Sequence, residues 1–367
     1  MTIDYIDILN FKNIPSASLK FTPGINCLLG NNGMGKSNML EALYFLSMGR
    51  PMSSLPDSAI IRHGEETMMV KGRFLTDNGK EDTVACGIER GKTKRLKVND
   101  KLCRRLSEHI GNYPMVGILP SDTRLASGSA EERRKLMDMV ISQSDPVYLT
   151  NLIRYTKSLE SRNKMLRGGV KDTLLYESVE SSMIETADYI HKRRLEWVEK
   201  IGPKTVSIYS ELSGGAEQPT LVLKSRLNET PLNELLESRR AKDEILGYTT
   251  VGPHRDDIEA TLDGYLIKEI GSQGQLKTFT TALKLSVFEF LRESRGITPI
   301  LLLDDIFDKL DASRVENIMK VVSGRESFGQ IFITDTNRKH LDDIISSLEG
   351  DHSMFTVTNG EFMPSEK

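Results

Sequence analysis

Long apolar runs are missing from this chain of 367 residues. No stretch approaches the roughly 18 apolar residues that would span a bilayer. The opening residues, MTIDYIDILN, lack a basic region followed by an apolar core, so no secretory leader is read there. A cytoplasmic protein without membrane association is expected. Cysteine is also scarce: Cys27, Cys86 and Cys103 are scattered, odd in number and without metal-like spacing to histidine. That pattern excludes a disulfide framework and a zinc site, leaving reduced structural thiols. Aromatic residues make up 6% and charged residues 28%, a balance that fits exposed helices better than a β-sandwich. With a net charge of −3, any nucleic-acid surface must come from local clustering.

What the chain does have is a phosphate-loop pattern. Ile25 to Glu41 reads INCLLGNNGMGKSNMLE, a short apolar run, a polar loop and then helical spacing. Gly30, Asn31, Asn32, Gly33, Met34, Gly35, Lys36, Ser37 and Asn38 fill and follow the G-x-x-x-x-G-K-[ST] template. Its glycines let backbone N–H groups curl around phosphate oxygens, and the helix starting at Lys36 aims its positive dipole end at the same anion. Lys36 is expected to reach the β- and γ-phosphates of ATP, and Ser37 to hold Mg2+. A metal-holding carboxylate on a neighbouring strand is required as well. The one apolar run ending in acids is Ile300 to Asp305, ILLLDD. Asp304 is assigned to Mg2+, and Asp305 to orienting or deprotonating the attacking water.

Alternation of apolar and polar residues predicts strands at Thr2 to Leu9, Ser18 to Phe21, Met68 to Leu75, Val84 to Glu89, Arg95 to Val98 and Met115 to Leu119. Asn78-Gly79 and Asn99-Asp100 sit where hairpin turns belong. From Ala130 one long helical region runs to Gly168-Gly169, and a second follows to Gly214-Gly215, which reads as an antiparallel helical hairpin. Strands return at Thr220 to Lys224, Thr249 to Val251 and Ile258 to Leu262. A helix at Leu276 to Arg295, the ILLLDD strand, a helix from Ser313 and a strand at Gln330 to Thr334 complete the pattern. Both ends of the chain thus build one α/β unit around an all-helical insertion. The expected division is 1–125, 126–215 for the arm, and 216–367.

GSQGQ at Gly271 to Gln275 sits on a helix N-terminus, with Ser272 and the backbone N–H of Gly274 as anion donors and Gln275 beside them. In order after GNNGMGKS and before LLLDD, it resembles the signature loop of ABC-type ATPases. That likeness implies a mixed sheet around a P-loop core plus an antiparallel β part. It also implies an ATP-dependent homodimer in which each signature loop caps the partner's nucleotide, with Asp311 lining the interface. Lys92, Lys94, Arg95 and Lys97 cluster in one hairpin as candidate DNA contacts, giving salt-sensitive, sequence-independent binding. Arg133, Arg134 and Lys135, and separately Lys192, Arg193 and Arg194, read as helical charge runs facing solvent. His254 and Arg255 of GPHRDD read as structural hydrogen bonders, with a direct role at the nucleotide or dimer interface as the alternative.

Over nearly its whole length the chain resembles the RecF recombination mediators, relatives of the SMC-like ABC ATPases. The likeness rests on GNNGMGKSNMLEALYFL, GSAEERRKLMDMVISQSDPVYLTNLIRYTKSLESRN, GPHRDD, SQGQLKTFTTALKLSVFEFL and LLLDDIFDKLD. It implies ATP binding, dimerisation on double-stranded DNA and at gapped or single-strand junctions, slow hydrolysis, loading of the RecA recombinase, and a RecR-like protein partner. An SMC-type head acting as a motor or nuclease-linked ATPase is the alternative, and the short helical arm argues against it. Typical ABC ATPases carry glutamate where Asp305 stands, and a histidine after the last core strand where this chain reads ITDTN. The shorter acid implies slow turnover.

Overall fold

The computed structural model describes residues 1–52, 56–215, 217–305, 329–347 and 351–365. Contacts divide the chain into two units, one of residues 1–122, 211–214 and 284–367, the other of 123–210 and 215–283. Residues 216–283, grouped on the sequence with the C-terminal ATPase segment, therefore cluster with the helical insertion.

Among the described residues the first unit contains two six-stranded sheets. One is antiparallel and is built from β1 (Thr2–Phe11), β2 (Ile14–Lys20), β4 (Thr67–Leu75), β5 (Glu81–Glu89), β6 (Arg95–Val98) and β7 (Lys101–Leu102), in the order β2-β1-β4-β5-β6-β7. Every second residue of β5 is buried, as the alternation in its sequence requires. Asn99 and Asp100 both take positive φ, 49° and 61°, which makes the turn between β6 and β7 the primed type that suits a hairpin. The other sheet orders β15 (Glu361–Pro364), β14 (His352–Thr358), β3 (Ile25–Leu29), β13 (Ile331–Asp335), β12 (Ile300–Asp304) and β8 (Met115–Ile118). Its four inner strands run parallel, and β3, β13 and β12 are mostly apolar and buried, as strands covered on both faces must be. β13 lies between the phosphate-loop strand β3 and the acid-bearing β12, so the two motif strands are not direct neighbours.

Helix α1 (Lys36–Met48) packs against strands of both sheets. Every residue from Met39 to Met48 is buried, which explains the absence of a polar stripe. The C-terminal strands β14 and β15 carry no strong motif and escape a reading by pattern.

In the second unit, α2 (Arg124–Ser127), α3 (Ala130–Ser144), α4 (Pro146–Arg167) and α5 (Thr173–Ser213) precede a three-stranded sheet. The first expected long helix is in fact two. Asp145 caps α4 by accepting from the Val147 and Tyr148 amides, and Pro146 opens it, where a missing N–H costs nothing. Arg154–Glu185, Ser158–Ser182 and Arg162–Glu180 contacts descend one helix as they climb the other, confirming the antiparallel hairpin. The sheet orders β11 (Tyr265–Leu266), β10 (Asp257–Leu262) and β9 (Pro219–Lys224); α6 (Leu232–Leu246) and α7 (Ile267–Ile270) accompany it, and α8 (Gln273–Arg295) follows. Thr249 to Val251 is not a strand. The Thr249 amide donates to Asn163 and the Thr250 amide to Asp243, so side chains take the bonds a neighbouring strand would have made.

Candidate nucleotide site

Three backbone positions explain the glycines of the phosphate loop. A Cβ on Gly30 would run into the Val357 carbonyl, and Gly30 donates its N–H to Asp335 O at 3.3 Å. Gly33 and Gly35 adopt φ of 81° and 113°, conformations that disfavour any side chain. At Gly35 a Cβ would also stand 2.9 Å from the Asn13 amide oxygen. Lys36 is 3% exposed and folds back on the loop, donating Nζ to Gly30 O at 2.7 Å and Asn31 O at 3.1 Å. The buried charge is thereby satisfied by carbonyl dipoles. Met34 is pinned by the Gly360 N–H to its carbonyl at 2.8 Å, in the turn between β14 and β15.

Ser37 and Asp304 meet directly: Ser37 Oγ donates to Asp304 Oδ1 at 2.8 Å. Thr334 Oγ1 donates to the same oxygen at 2.8 Å and accepts from the Asp305 amide at 2.9 Å. Burial raises the proton affinity of Asp304 above the ordinary carboxylate range, and the Ser37 and Thr334 hydrogen bonds pull it back down. Asp305, at the strand end, holds φ of 42°, rare for a residue with a side chain and a form of strain that gathers at functional sites. Among the described residues no group of three or more His, Cys, Asp or Glu converges on a metal position. A hard cation here would rest on Ser37 and Asp304 together with phosphate oxygens.

Sequence reasoning missed Lys12 and Asn13. They form the two-residue turn between β1 and β2, with Lys12 at φ 50°. Asn13 Nδ2 donates to Gly33 O at 3.0 Å, and its oxygen accepts from Asn38 Nδ2 at 2.7 Å. Lys12 pairs with Glu41 on α1. The strand patterns in the sequence, Thr2 to Leu9 and Ser18 to Phe21, place no turn here, and its seat on the loop is a tertiary fact.

No histidine directly follows β13, yet His340 of α9 (Arg338–Ser347) returns to Asp335, with Nδ1 3.1 Å from Oδ2. Asp311 and the helix expected from Ser313 lie outside the described residues.

GSQGQ begins α8 with a reciprocal cap: the Ser272 amide donates to Gln275 Oε1 at 2.7 Å, and the Gln275 amide to Ser272 Oγ at 3.2 Å. Gln275 Nε2 reaches Glu217. The Gly274 carbonyl accepts from Thr278.

Of the hairpin cations, Lys92 pairs with Glu89, and Lys94 with Asp57 and the Gly49 carbonyl. Arg95 and Lys97 stand exposed on β6. The helical charge runs are not all solvated. Arg133 is buried against Asp257, and Arg194, 1% exposed, donates to Asp138, Asp256 and the Pro253 carbonyl, each at 2.7 Å. GPHRDD is thus the anchor of the helical unit. His254 holds Tyr155 OH at 2.8 Å and Thr249 O at 3.0 Å, while the exposed Arg255 stacks over Tyr248.

The chain resembles known proteins over nearly its whole length. The family described as the RecF/RecN/SMC N terminal domain matches residues 2–359. The DNA replication and repair protein RecF of Porphyromonas gingivalis is 45% identical over 98% of this chain and 99% of its own. That of Parabacteroides distasonis is 44% identical over 100% of both. A solved structure described as the recombination mediator protein RecF-ATP in the RecFOR pathway superposes with a TM-score of 0.87 at 30% identity, covering 99% of both chains. The mixed sheet around the phosphate loop, with its antiparallel partner sheet and helical insertion, is an ABC-type ATPase head. Full-length likeness to proteins of this one name does not favour a motor or nuclease-linked head. The chain belongs to the RecF family, within the RecF/RecN/SMC group.

Proposed function

We propose that this protein is an ATP-gated DNA clamp of recombinational repair. The observation that carries the reading is the hydrogen bond from Ser37 to Asp304, which brings the end of the phosphate loop and the acidic strand to one point. Gly30 to Asn38 cradle the phosphates of ATP, and Lys36 exchanges the Gly30 and Asn31 carbonyls for phosphate oxygens. When bound, Mg2+ would supply charge neutralisation at the phosphates. Ser37 and Asp304 supply the two oxygens suited to holding it. Asp305 orients the attacking water, and its short side chain makes turnover slow. Ser272, Gly274 and Gln275 cap the ATP of a second copy, so nucleotide binding is linked to dimerisation. Binding energy then does more than turnover: ATP closes two heads on duplex or gapped DNA, hydrolysis parts them, and the clamp helps a RecR-like partner load RecA in the cytoplasm.

Anisotropy of a labelled gapped duplex, read without nucleotide, with ADP and with ATP, tests this for the native chain and Lys36→Arg. ATP should tighten native binding and leave the variant unchanged. Affinity that ignores nucleotide in the native chain would remove the gating mechanism.

A further inference from the structure

The antiparallel sheet of the first unit has one face packed inward and one turned to solvent, and its register sets out what the outer face presents. The central rung reads Ser18, Asp7, Lys71, Ala85, Lys97 and Leu102 across six strands. The rung on one side runs Ser16, Leu9, Met69, Gly87, Arg95. On the other side it runs Lys20, Tyr5, Arg73, Thr83. Strand β5 therefore shows Thr83, Ala85 and Gly87 between a basic row on β4 and another on β6.

We propose that this outer face is a track for the phosphate backbone of double-stranded DNA, with Lys71, Arg95 and Lys97 as its principal contacts. The proposal rests on the DNA-clamp reading and assigns its surface. Lys71, Arg95 and Lys97 are exposed and make no ion pair among the described residues. Arg73 is committed to Asp4, and Lys20 extends the track from the edge strand. On the central rung the single carboxylate is Asp7, which accepts from Tyr5 OH. Glu81 and Glu89 stand only at the ends of β5, Glu89 paired with Lys92.

Spacing supports the assignment. Strands β4 and β6 lie about 10 Å apart across β5, and Arg95 and Lys97 are about 7 Å apart along their strand. A duplex carries one negative charge per ~1.7 Å of axis, so this span faces several phosphates at once. Short side chains on β5 leave the two cationic rows standing proud of the floor. Single-stranded DNA is usually held by aromatic side chains on which bases stack. Here the one aromatic residue on these rungs is Tyr5, whose hydroxyl is tied to Asp7 and Ser18. Phosphate contact without groove entry carries no sequence preference, and the lack of a stacking platform favours the duplex over the single strand.

The test uses the full chain with ATP and Mg2+, and anisotropy of a blunt duplex and a single strand of equal length over a range of salt. Lys71→Glu/Lys97→Glu should weaken duplex binding about tenfold or more, and Lys71→Gln/Lys97→Gln should lower the slope of log affinity against log salt by about two. Lys92→Glu, at a cation already paired, should change little. Binding of a fluorescent ATP analogue and the melting temperature should match the native chain in both double variants. Duplex affinity and salt slope equal to native in the double variants would overturn the track while leaving the clamp reading intact. Loss confined to the single strand would overturn the choice of duplex. Failure of the native chain to bind duplex in any nucleotide state would sink the clamp reading and the track together.

Discussion

Ser37 and Asp304, 267 positions apart in the chain, share one hydrogen bond of 2.8 Å at the mouth of the phosphate loop. Thr334 donates to the same carboxylate oxygen, so the acid is positioned twice. Burial makes its charge costly, which is why its proton affinity is raised. Asp304→Asn keeps the shape and removes the charge. The variant should melt at or above the native temperature, while Mg-ATP affinity in titration calorimetry falls at least tenfold, about 1.4 kcal/mol. A destabilised variant with native Mg-ATP affinity would show that Asp304 serves the fold alone.

Asn13 makes a different prediction because it touches the loop through neutral groups. Asn13→Ala strips a donor from the Gly33 carbonyl and an acceptor from Asn38. Both groups are near solvent, so the cost to stability should be only about 1 kcal/mol. The loop would lose its brace beside Gly35, and ATP affinity should fall about five- to tenfold. Unchanged nucleotide binding would make Asn13 a turn residue only.

Much of this was legible in the sequence where chemistry and local pattern coincide. The loop from Gly30 to Ser37 needs glycine at special φ, the helix starts at Lys36 as read, and Arg95–Val98 has the bounds its pattern suggests. The acidic strand could be found by elimination, but its separation from β3 by β13 could not. Partnerships between distant polar groups were not legible either. Arg133 and Arg194 look like solvated helix charges until Asp257, Asp138 and Asp256 are brought to them by the fold. Thr249 and Thr250 carry strand-forming side chains, but Asn163 and Asp243 claim their amides. The Asp145-Pro146 break between α3 and α4 did carry a local signal, a capping acid before proline, that helical periodicity overrode.

Arg194 should be the costliest of these charges to remove. Its guanidinium donates to Asp138, Asp256, Tyr148 and the Pro253 carbonyl, and it is 1% exposed. Arg194→Met fills similar volume but leaves two carboxylates without their cation. The expected loss in chemical denaturation is about 3–5 kcal/mol. Restoring native stability by adding Asp138→Asn and Asp256→Asn would confirm that stranded charge, rather than lost packing, is the cause. A single variant within 1 kcal/mol of native would contradict the geometry.

His254 makes stability depend on pH with a sign that can be worked out. Its Nε2 faces the Thr249 carbonyl at 3.0 Å and so carries the proton, leaving Nδ1 to accept from Tyr155 OH at 2.8 Å. Both ring nitrogens are then satisfied by the neutral form. Burial lowers the His254 pKa to about 4 from the ordinary 6.5, with the nearby Arg255, Arg134 and Arg194 charges acting in the same direction. The unfolded chain therefore takes up a proton between pH 6.5 and 4 that the folded chain refuses. Stability from this residue is fully present above pH 6.5 and drains away as pH falls toward 4, by about 3 kcal/mol at most. His109 and His191 are lowered by burial too, so the native profile alone does not isolate the effect. The difference between native chain and His254→Gln does. Glutamine cannot titrate, so the variant should be less stable at pH 7.5, and the gap should narrow steadily between pH 6.5 and 4.5. A gap that stays constant across that range would mean that His254 takes up its proton in the fold as readily as in the unfolded chain.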